Sequence, residues 1–296
     1  MTAPLTISDP PPLDESLYSL DENELVFFKS QTGIDDEEEL KTHILTVQAR
    51  AYEVVPYPCI RLFNFTKLRI SRSPFYGRAL QLAKEHKGAI LLDVGCNLGH
   101  DLRQAVADGW PIENVIGFDL EQGFWDYGHE LFKTIPETYP ASFVAGDVFD
   151  PLMIAPRDPF YEEPSTLRPE LRSLTSLTPL QGFVTAIRAS SFFHLFSEEQ
   201  QLKAARQLAT LLSPRPGSII FGRHRGMAVK GTRTDYHFGS ERTMFGHSPE
   251  SWRDFWDGQV FAKGTVRVEV ELEDYKSLTD EIDYNGFFLV WCVTRI

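Results

Sequence analysis

The 296-residue sequence predicts an α/β protein. Its centre is a doubly wound, seven-stranded, mostly parallel sheet with an antiparallel last strand, preceded by a helical extension. Three observations carry this. From residue 89 onward, strand-like and helix-like segments alternate five times, the pattern of a parallel sheet covered by helices on both faces. The first such run, "AILLDVG", is apolar apart from one acid and ends in glycine, as strands buried on both faces do. The last two runs, "GTVRVEVELEDY" and "GFFLVWCVTRI", have no helix between them, which makes the final strand antiparallel.

Taken in order, residues 1–34 read as a flexible or wrapping arm, acidic and proline-rich, with no basic n-region or apolar core of a secretory signal. Residues 35–88 read as a helical cap or lid. A helix begins near Asp35 with acids in its first turn, where the helix dipole favours them. An irregular aromatic stretch follows, then a helix with Ser73 as N-cap and Pro74 at its first position. Residues 89–296 form the α/β domain. Within it, "SEEQQLKAARQLATLL" is a helix opened by a Ser197/Gln200 capping box, and Ser248 caps "PESWRDFW". Residues 151–182 are proline-rich and weakly periodic, a length of connection that is usually functional or mobile.

Hydrophobic content of 42% and charged content of 24% are those of a soluble globular protein. A formal net charge of −13 repels nucleic-acid phosphates and anionic membranes, so neither is an expected partner. No run approaches the ~20 apolar residues of a membrane helix. Cys59, Cys96 and Cys292 are scattered and contain no C-x-x-C pair, which argues for a reducing, cytoplasmic setting and against structural zinc. No metal site is expected. H-E-x-x-H, G-x-S-x-G and P-loop patterns are absent.

The stretch richest in chemistry is "LLDVGCNLGHDL". Gly95 and Gly99 lie on the turn after the first strand, where ligands of open α/β sheets bind. Glycine there allows positive φ and close approach of a ligand to the backbone. A dinucleotide places its pyrophosphate on such a turn; S-adenosylmethionine lays its methionine portion there. Asp93, just before the glycine, would repel a pyrophosphate and could pair with the ammonium group of the second cofactor, directly or through water. Asn97 replaces a middle glycine and tolerates the left-handed region best among non-glycine residues. Asp119 ends the second strand, where a carboxylate can accept both ribose hydroxyls, with Leu120 beside it. Asp147 follows the third strand, where it can accept from an adenine amino group, with Val148 and Phe149 flanking the ring. An acid at the end of each of three successive strands favours S-adenosylmethionine as cofactor.

On these residues the chain resembles the class I S-adenosylmethionine-dependent methyltransferases, whose fold is Rossmann-like. It more closely resembles the fungal carboxyl O-methyltransferases of meroterpenoid biosynthesis, of the austinol and terretonin pathway type. The generic stretches are "YPCI", "LLDVGCNLGHDLRQAVADG", "VIGFDL" with "FWDYGHELF", and "GDVFD". The specific ones are "SSFFHLFSEEQQ", "GRHRG" and "FGHSPESWRDFW…KGTVRVEVEL". The resemblance covers most of the chain from about residue 50. It implies a methyltransferase domain over 89–296, methyl-ester formation on an aromatic or terpenoid carboxylic acid such as a prenylated polyketide, and a homodimer.

A carboxylate, with a reference pKa of about 4, is ionised at neutral pH and needs no general base, only a clamp and a shaped pocket; a phenol, at about 10, would be helped by one. "GRHRG" puts Arg223, His224 and Arg225 at the carboxyl end of the fifth strand, on the ligand side. Strand alternation keeps all three from facing the same way. Arg223 and His224 are the candidate clamp, and His194, after the fourth strand, could orient the substrate or act as a base; structural roles are equally open to each. Trp125 and Tyr127, just past Asp119, fit either an adenine stack or the core. Phe63, Phe65, Tyr76, Phe192 and Phe193 form a candidate apolar lid. Phenol or amine methylation, or a cofactor-binding cyclase or partner subunit, are the alternatives.

Overall fold

The computed structural model describes residues 10–237, 240–276 and 285–296. Residues 1–9 of the expected arm lie outside these. The chain opens with helices α1 (Glu22–Thr32), α2 (Glu37–Val54), α3 (Pro58–Arg61) and α4 (Tyr76–Glu85). Strand and helix then alternate: β1 (Ile90–Val94), α5 (His100–Ala107), β2 (Val115–Asp119), α6 (Gln122–Leu131), β3 (Ser142–Ala145), β4 (Val184–Arg188), α7 (Glu198–Leu211) and β5 (Ile219–Gly226). A hairpin, β6 (Gly231–His237) and β7 (Ser240–Gly246), precedes α8 (Pro249–Trp256), β8 (Val266–Lys276) and β9 (Asn285–Arg295).

Seven strands form one sheet in the order β3-β2-β1-β4-β5-β9-β8. β9 lies antiparallel between β5 and β8, as the missing crossover helix requires. The order reverses between β1 and β4, which places the switch point at the carboxyl end of β1. The continuous apolar run of β1 is explained by its burial on both faces. Ile90, Leu92 and Val94 belong to the buried cluster that includes α7, while Leu91 belongs to the one that includes α4 and α5.

Helix ends follow the local chemistry. Ser197 and Ser248 cap α7 and α8 through capping boxes, and Asp36 caps α2 by accepting from the Glu39 N–H at 2.9 Å. The expected cap of α4 is displaced. Ser73 accepts from the Phe75 and Tyr76 N–H groups, closing a turn ahead of the helix, which starts at Tyr76. Within the expected arm, residues 22–32 are helical, and Phe27 and Phe28 pack with α2 and α6. The 151–182 connection carries no α-helix. It packs against the sheet through buried Ile154, Leu171, Leu177 and Leu180, and Gln181 and Gln207 satisfy its Ala155 and Ile154 carbonyls. Among the described residues, no helix is long and apolar enough to cross a membrane, and no cluster of His, Cys, Asp and Glu could hold a metal ion.

Candidate active site

A cavity of about 1230 Å³ lies over the carboxyl ends of β1, β2, β4 and β5, between the sheet and the N-terminal helices. Its floor at β1 is the glycine turn. Gly95, Asn97 and Gly99 adopt φ of 71°, 52° and 73°. The Asn97 amide donates to Asp119 Oδ2 at 2.8 Å, and the Leu98 amide to Asn97 Oδ1 at 3.0 Å, so the turn is tied to the end of β2. The two glycines do different work. Gly95 opens onto the cavity. Gly99 does not: a methyl there would meet the Trp125 ring at 2.8 Å, so its role is to let α6 pack over the turn.

Asp119 lines the cavity and also accepts from the Glu121 N–H at 3.3 Å. Burial pushes its carboxyl up to about 6, against the backbone bonds that favour the charged form. A carboxylate has acceptor positions beyond the two used here, available to a ribose diol. Leu120, Asp147, Val148 and Phe149 line the same region, and Asp147 accepts from the Phe149 N–H at 2.9 Å, which shapes the loop after β3. Open backbone at Gly95 and two acids along one wall fit S-adenosylmethionine.

Asp93 is placed differently from the expectation. It is buried away from the cavity and accepts from Arg188 Nη1 at 2.8 Å. Arg188 Nη2 donates to Asp101, which also accepts from the Ile70 N–H at 2.9 Å. Burial raises Asp93 to about 6 despite Arg188, whereas for Asp101 the pull of Arg188 and His100 outweighs burial and the carboxyl stays below its ordinary range. Asp93 thus anchors Arg188, which itself lines the cavity.

At β5 the alternation sorts the cluster. Arg223 and Arg225 line the cavity. His224 points to the opposite face, where Trp291 Nε1 donates to its Nδ1 at 2.9 Å and Trp252 lies 4.7 Å from its ring. Burial, with His247 nearby, pushes His224 down to about 3, so it stays neutral. Contrary to the clamp expected of it, it does not line the cavity. Arg223 lies over the Phe288 ring at 3.9 Å, with Glu273 at 3.5 Å. His194, on the short turn after β4, lines the cavity. Phe65 and Phe192 line it as well, whereas Phe63, Tyr76 and Phe193 are core. Trp125 stacks on Phe143 at 4.9 Å and stays in the core. Tyr127 sits at the edge of the α1–α2–α6 packing.

Sequence reasoning missed Arg69, His100, Arg188, Ser190 and Ser191, all of which line the cavity. For Arg69 a signal existed: "FTKLRISRSP" is a dense run of cations in an irregular segment next to the glycine-turn strand.

The sheet order, the glycine turn and the acids on the next two strands define a class I S-adenosylmethionine-dependent methyltransferase. Residues 13–66 match the meroterpenoid methyltransferase N-terminal domain. The chain is 35% identical over 246 residues to O-methyltransferase phiE of Fungal sp. (strain ATCC 74256), covering 81% of this chain and 73% of that one. It is 31% identical over 262 residues to Asnovolin E/Chermesin D methyltransferase nvfJ of Aspergillus novofumigatus, covering 87% and 83%. Methyltransferase trt5 of Aspergillus terreus is 29% identical over 79% of this chain and 75% of that one. The chain belongs to this family of fungal methyltransferases. Among solved structures, Burkholderia thailandensis 1,6-didemethyltoxoflavin-N1-methyltransferase is 14% identical, with a TM-score of 0.49 over 86% of this chain and 89% of that one.

Proposed function

We propose that the protein methylates a carboxylate on a meroterpenoid-type or prenylated polyketide metabolite, giving a methyl ester. The observation that carries this is the placement of Arg223 and Arg225 together on the cavity side of β5, in a protein of net charge −13. An anionic substrate would find electrostatic attraction there. Part of the wall is apolar, with Leu17, Leu20, Phe65, Phe288 and Val290 available to a lipophilic skeleton. The volume exceeds what a nucleoside cofactor alone would fill. The meroterpenoid setting is supported by the match of residues 13–66 to the meroterpenoid methyltransferase N-terminal domain.

Asp119 would accept the ribose hydroxyls, Asp147 the adenine amino group, and the backbone at Gly95 would lie under the methionine portion. When bound, the cofactor supplies an electrophilic methyl on a sulfonium. Arg223 and Arg225 would grip one face of the substrate carboxylate and leave an oxygen lone pair directed at that methyl. The carboxylate oxygen would gain the methyl carbon as the methyl–sulfur bond is given up, its electron pair left on the neutral thioether. No proton moves, so no base is required. The apolar part of the wall would limit water along the line of attack.

Incubation with S-adenosylmethionine and a panel of alkylated aromatic acids tests this. S-adenosylhomocysteine and an alkali-labile methylated product are expected. An alkali-stable ether would redirect the reading to a phenol, with His194 as the base that lines the cavity. Turnover without S-adenosylhomocysteine would end the transferase reading.

A further inference from the structure

Cations lining the cavity are mostly matched by acids. Lys67 meets Glu24 at 2.9 Å, Arg72 meets Asp21 at 2.5 Å and Glu24 at 2.6 Å, and Arg188 is held by Asp93 and Asp101. Arg69 is different. Its Nη2 donates to the neutral Asn64 Oδ1 at 2.7 Å, and among the described residues no carboxylate pairs with it. Its side chain lines the cavity from the cap side, facing the wall that carries Arg188 and Arg223. Burial and then the approach of Arg223 push its guanidinium below the usual arginine value, more than the nearby Asp101 raises it. Its backbone is held in register, because the next residue, Ile70, donates its N–H to Asp101. A guanidinium fixed by its neighbours, turned towards like charges and with no carboxylate in ion-pair contact among the described residues, is arranged for an anion that arrives with a ligand. Its planar fork suits a carboxylate in particular.

We propose that Arg69 is a carboxylate-binding residue of the active site, contributed by the cap and braced by Asn64. Two carboxylates reach this region: the α-carboxylate of the cofactor, whose methionine end would lie over the glycine turn, and that of the substrate. Only the second source rests on the ester-forming reading. Either way Arg69 brings a positive charge from the cap to the occupied site.

The test is calorimetric, on the full chain, with Arg69→Gln and Asn64→Ala beside the unmodified protein. The probes are S-adenosylhomocysteine, 5′-methylthioadenosine, which lacks the amino-acid portion, and an alkylated 2,4-dihydroxybenzoate added to the S-adenosylhomocysteine-loaded protein. If Arg69 holds the cofactor, Arg69→Gln weakens S-adenosylhomocysteine about tenfold or more and leaves 5′-methylthioadenosine unchanged, with a smaller loss in Asn64→Ala. If it holds the substrate, S-adenosylhomocysteine binds as before and the benzoate loses about tenfold or more. Unchanged S-adenosylhomocysteine affinity with unchanged or absent benzoate binding overturns the proposal. Equal losses for S-adenosylhomocysteine and 5′-methylthioadenosine also overturn it, since they would mark a structural role; retained 5′-methylthioadenosine binding shows that the variant has folded.

Discussion

Asp119 is the residue on which cofactor binding should turn, and its environment gives that binding a pH signature. Its carboxyl is raised from 3.8 to about 6, mainly by burial. A raised folded-state value means that the fold favours the protonated form. Its contribution to stability is therefore full below about pH 4 and is lost as pH climbs to about 6. Cofactor binding runs the other way, because ribose hydroxyls need the ionised carboxylate as acceptor. We predict that S-adenosylhomocysteine affinity falls as pH drops through 6, by up to about tenfold per unit. Asp119→Asn should bind weakly at all pH values and lose that slope. Calorimetry between pH 5 and 8 checks it; an unchanged slope in Asp119→Asn would move the titrating group elsewhere. Arg188 has a different residue-level consequence. It neutralises two acids that are each almost wholly buried, and the pairs join β4 to β1 and α5. Arg188→Met leaves both acids without their cation and should cost about 3–5 kcal/mol, roughly 10 °C in melting temperature. Retention of the native melting temperature would show that the acids had found protons at little cost.

At the scale of elements, the glycine turn and α6 are one unit. Trp125 packs over Gly99, and Gly128 brings α6 against the Leu98 carbonyl, where a methyl would stand 2.4 Å away. Gly99→Ala should destabilise by about 2–4 kcal/mol, from positive φ together with the Trp125 clash. In a Trp125→Leu background the clash is relieved and the added penalty should shrink to about 1 kcal/mol. A double-mutant cycle by denaturant melts measures the difference; equal penalties in both backgrounds would show that α6 does not press on the turn. The same unit shows what was legible in the sequence. β1 and the positions of Asp119 and Asp147 could be read because an apolar strand and its terminal acid are local patterns. Gly99 was read as a cofactor contact because a glycine's reason for being small lies in whatever packs on it. The β6–β7 hairpin went unread because "GTRTDYH" and "SERTMFG" carry little apolar alternation. Helix α1 went unread because "ENELVFFKSQT" lacks a clear apolar stripe, its buried set including the acid Glu24. Asp93 and Arg188 pair across strands 95 residues apart in sequence, and no spacing rule announces such a bond. At β5 the alternation rule said that the three residues would divide, and the structure supplied which way.

At the scale of the whole molecule, the cavity is closed in part by the segment before α1. Ser16, Leu17, Ser19 and Leu20 line it, so a large ligand cannot enter by that wall unless the segment moves. Among the described residues the segment is attached by side-chain bonds and by the Tyr18 ring, edge-on to Phe63 at 5.5 Å. Tyr52 donates its hydroxyl to the Pro11 carbonyl at 2.9 Å, Arg61 Nε to the Pro12 carbonyl at 2.8 Å, and Lys67 Nζ to the Ser19 carbonyl at 2.6 Å. Its apolar side chains, Leu17, Tyr18 and Leu20, are only partly buried against the cap. Lys67 also reaches Glu24, so one lysine ties the segment to the first turn of α1. A segment whose apolar side chains are only partly buried belongs to the low-stability end of the molecule, while α2, with Leu40, Ile44, Val47 and Ala51 fully buried, belongs to the high end. We therefore predict that backbone amides of residues 13–20 exchange with solvent orders of magnitude faster than those of α2. S-adenosylhomocysteine with an aromatic acid should slow them selectively, because an occupied cavity gives Leu17 and Leu20 a surface to cover. Lys67→Ala should speed their exchange further without affecting α2. Hydrogen exchange read by mass spectrometry on the free, loaded and Lys67→Ala proteins decides it. Exchange at residues 13–20 as slow as in α2, and indifferent to ligand, would make this segment a fixed wall and put the substrate's entrance on the β6–β7 side, where Met244 lines the cavity.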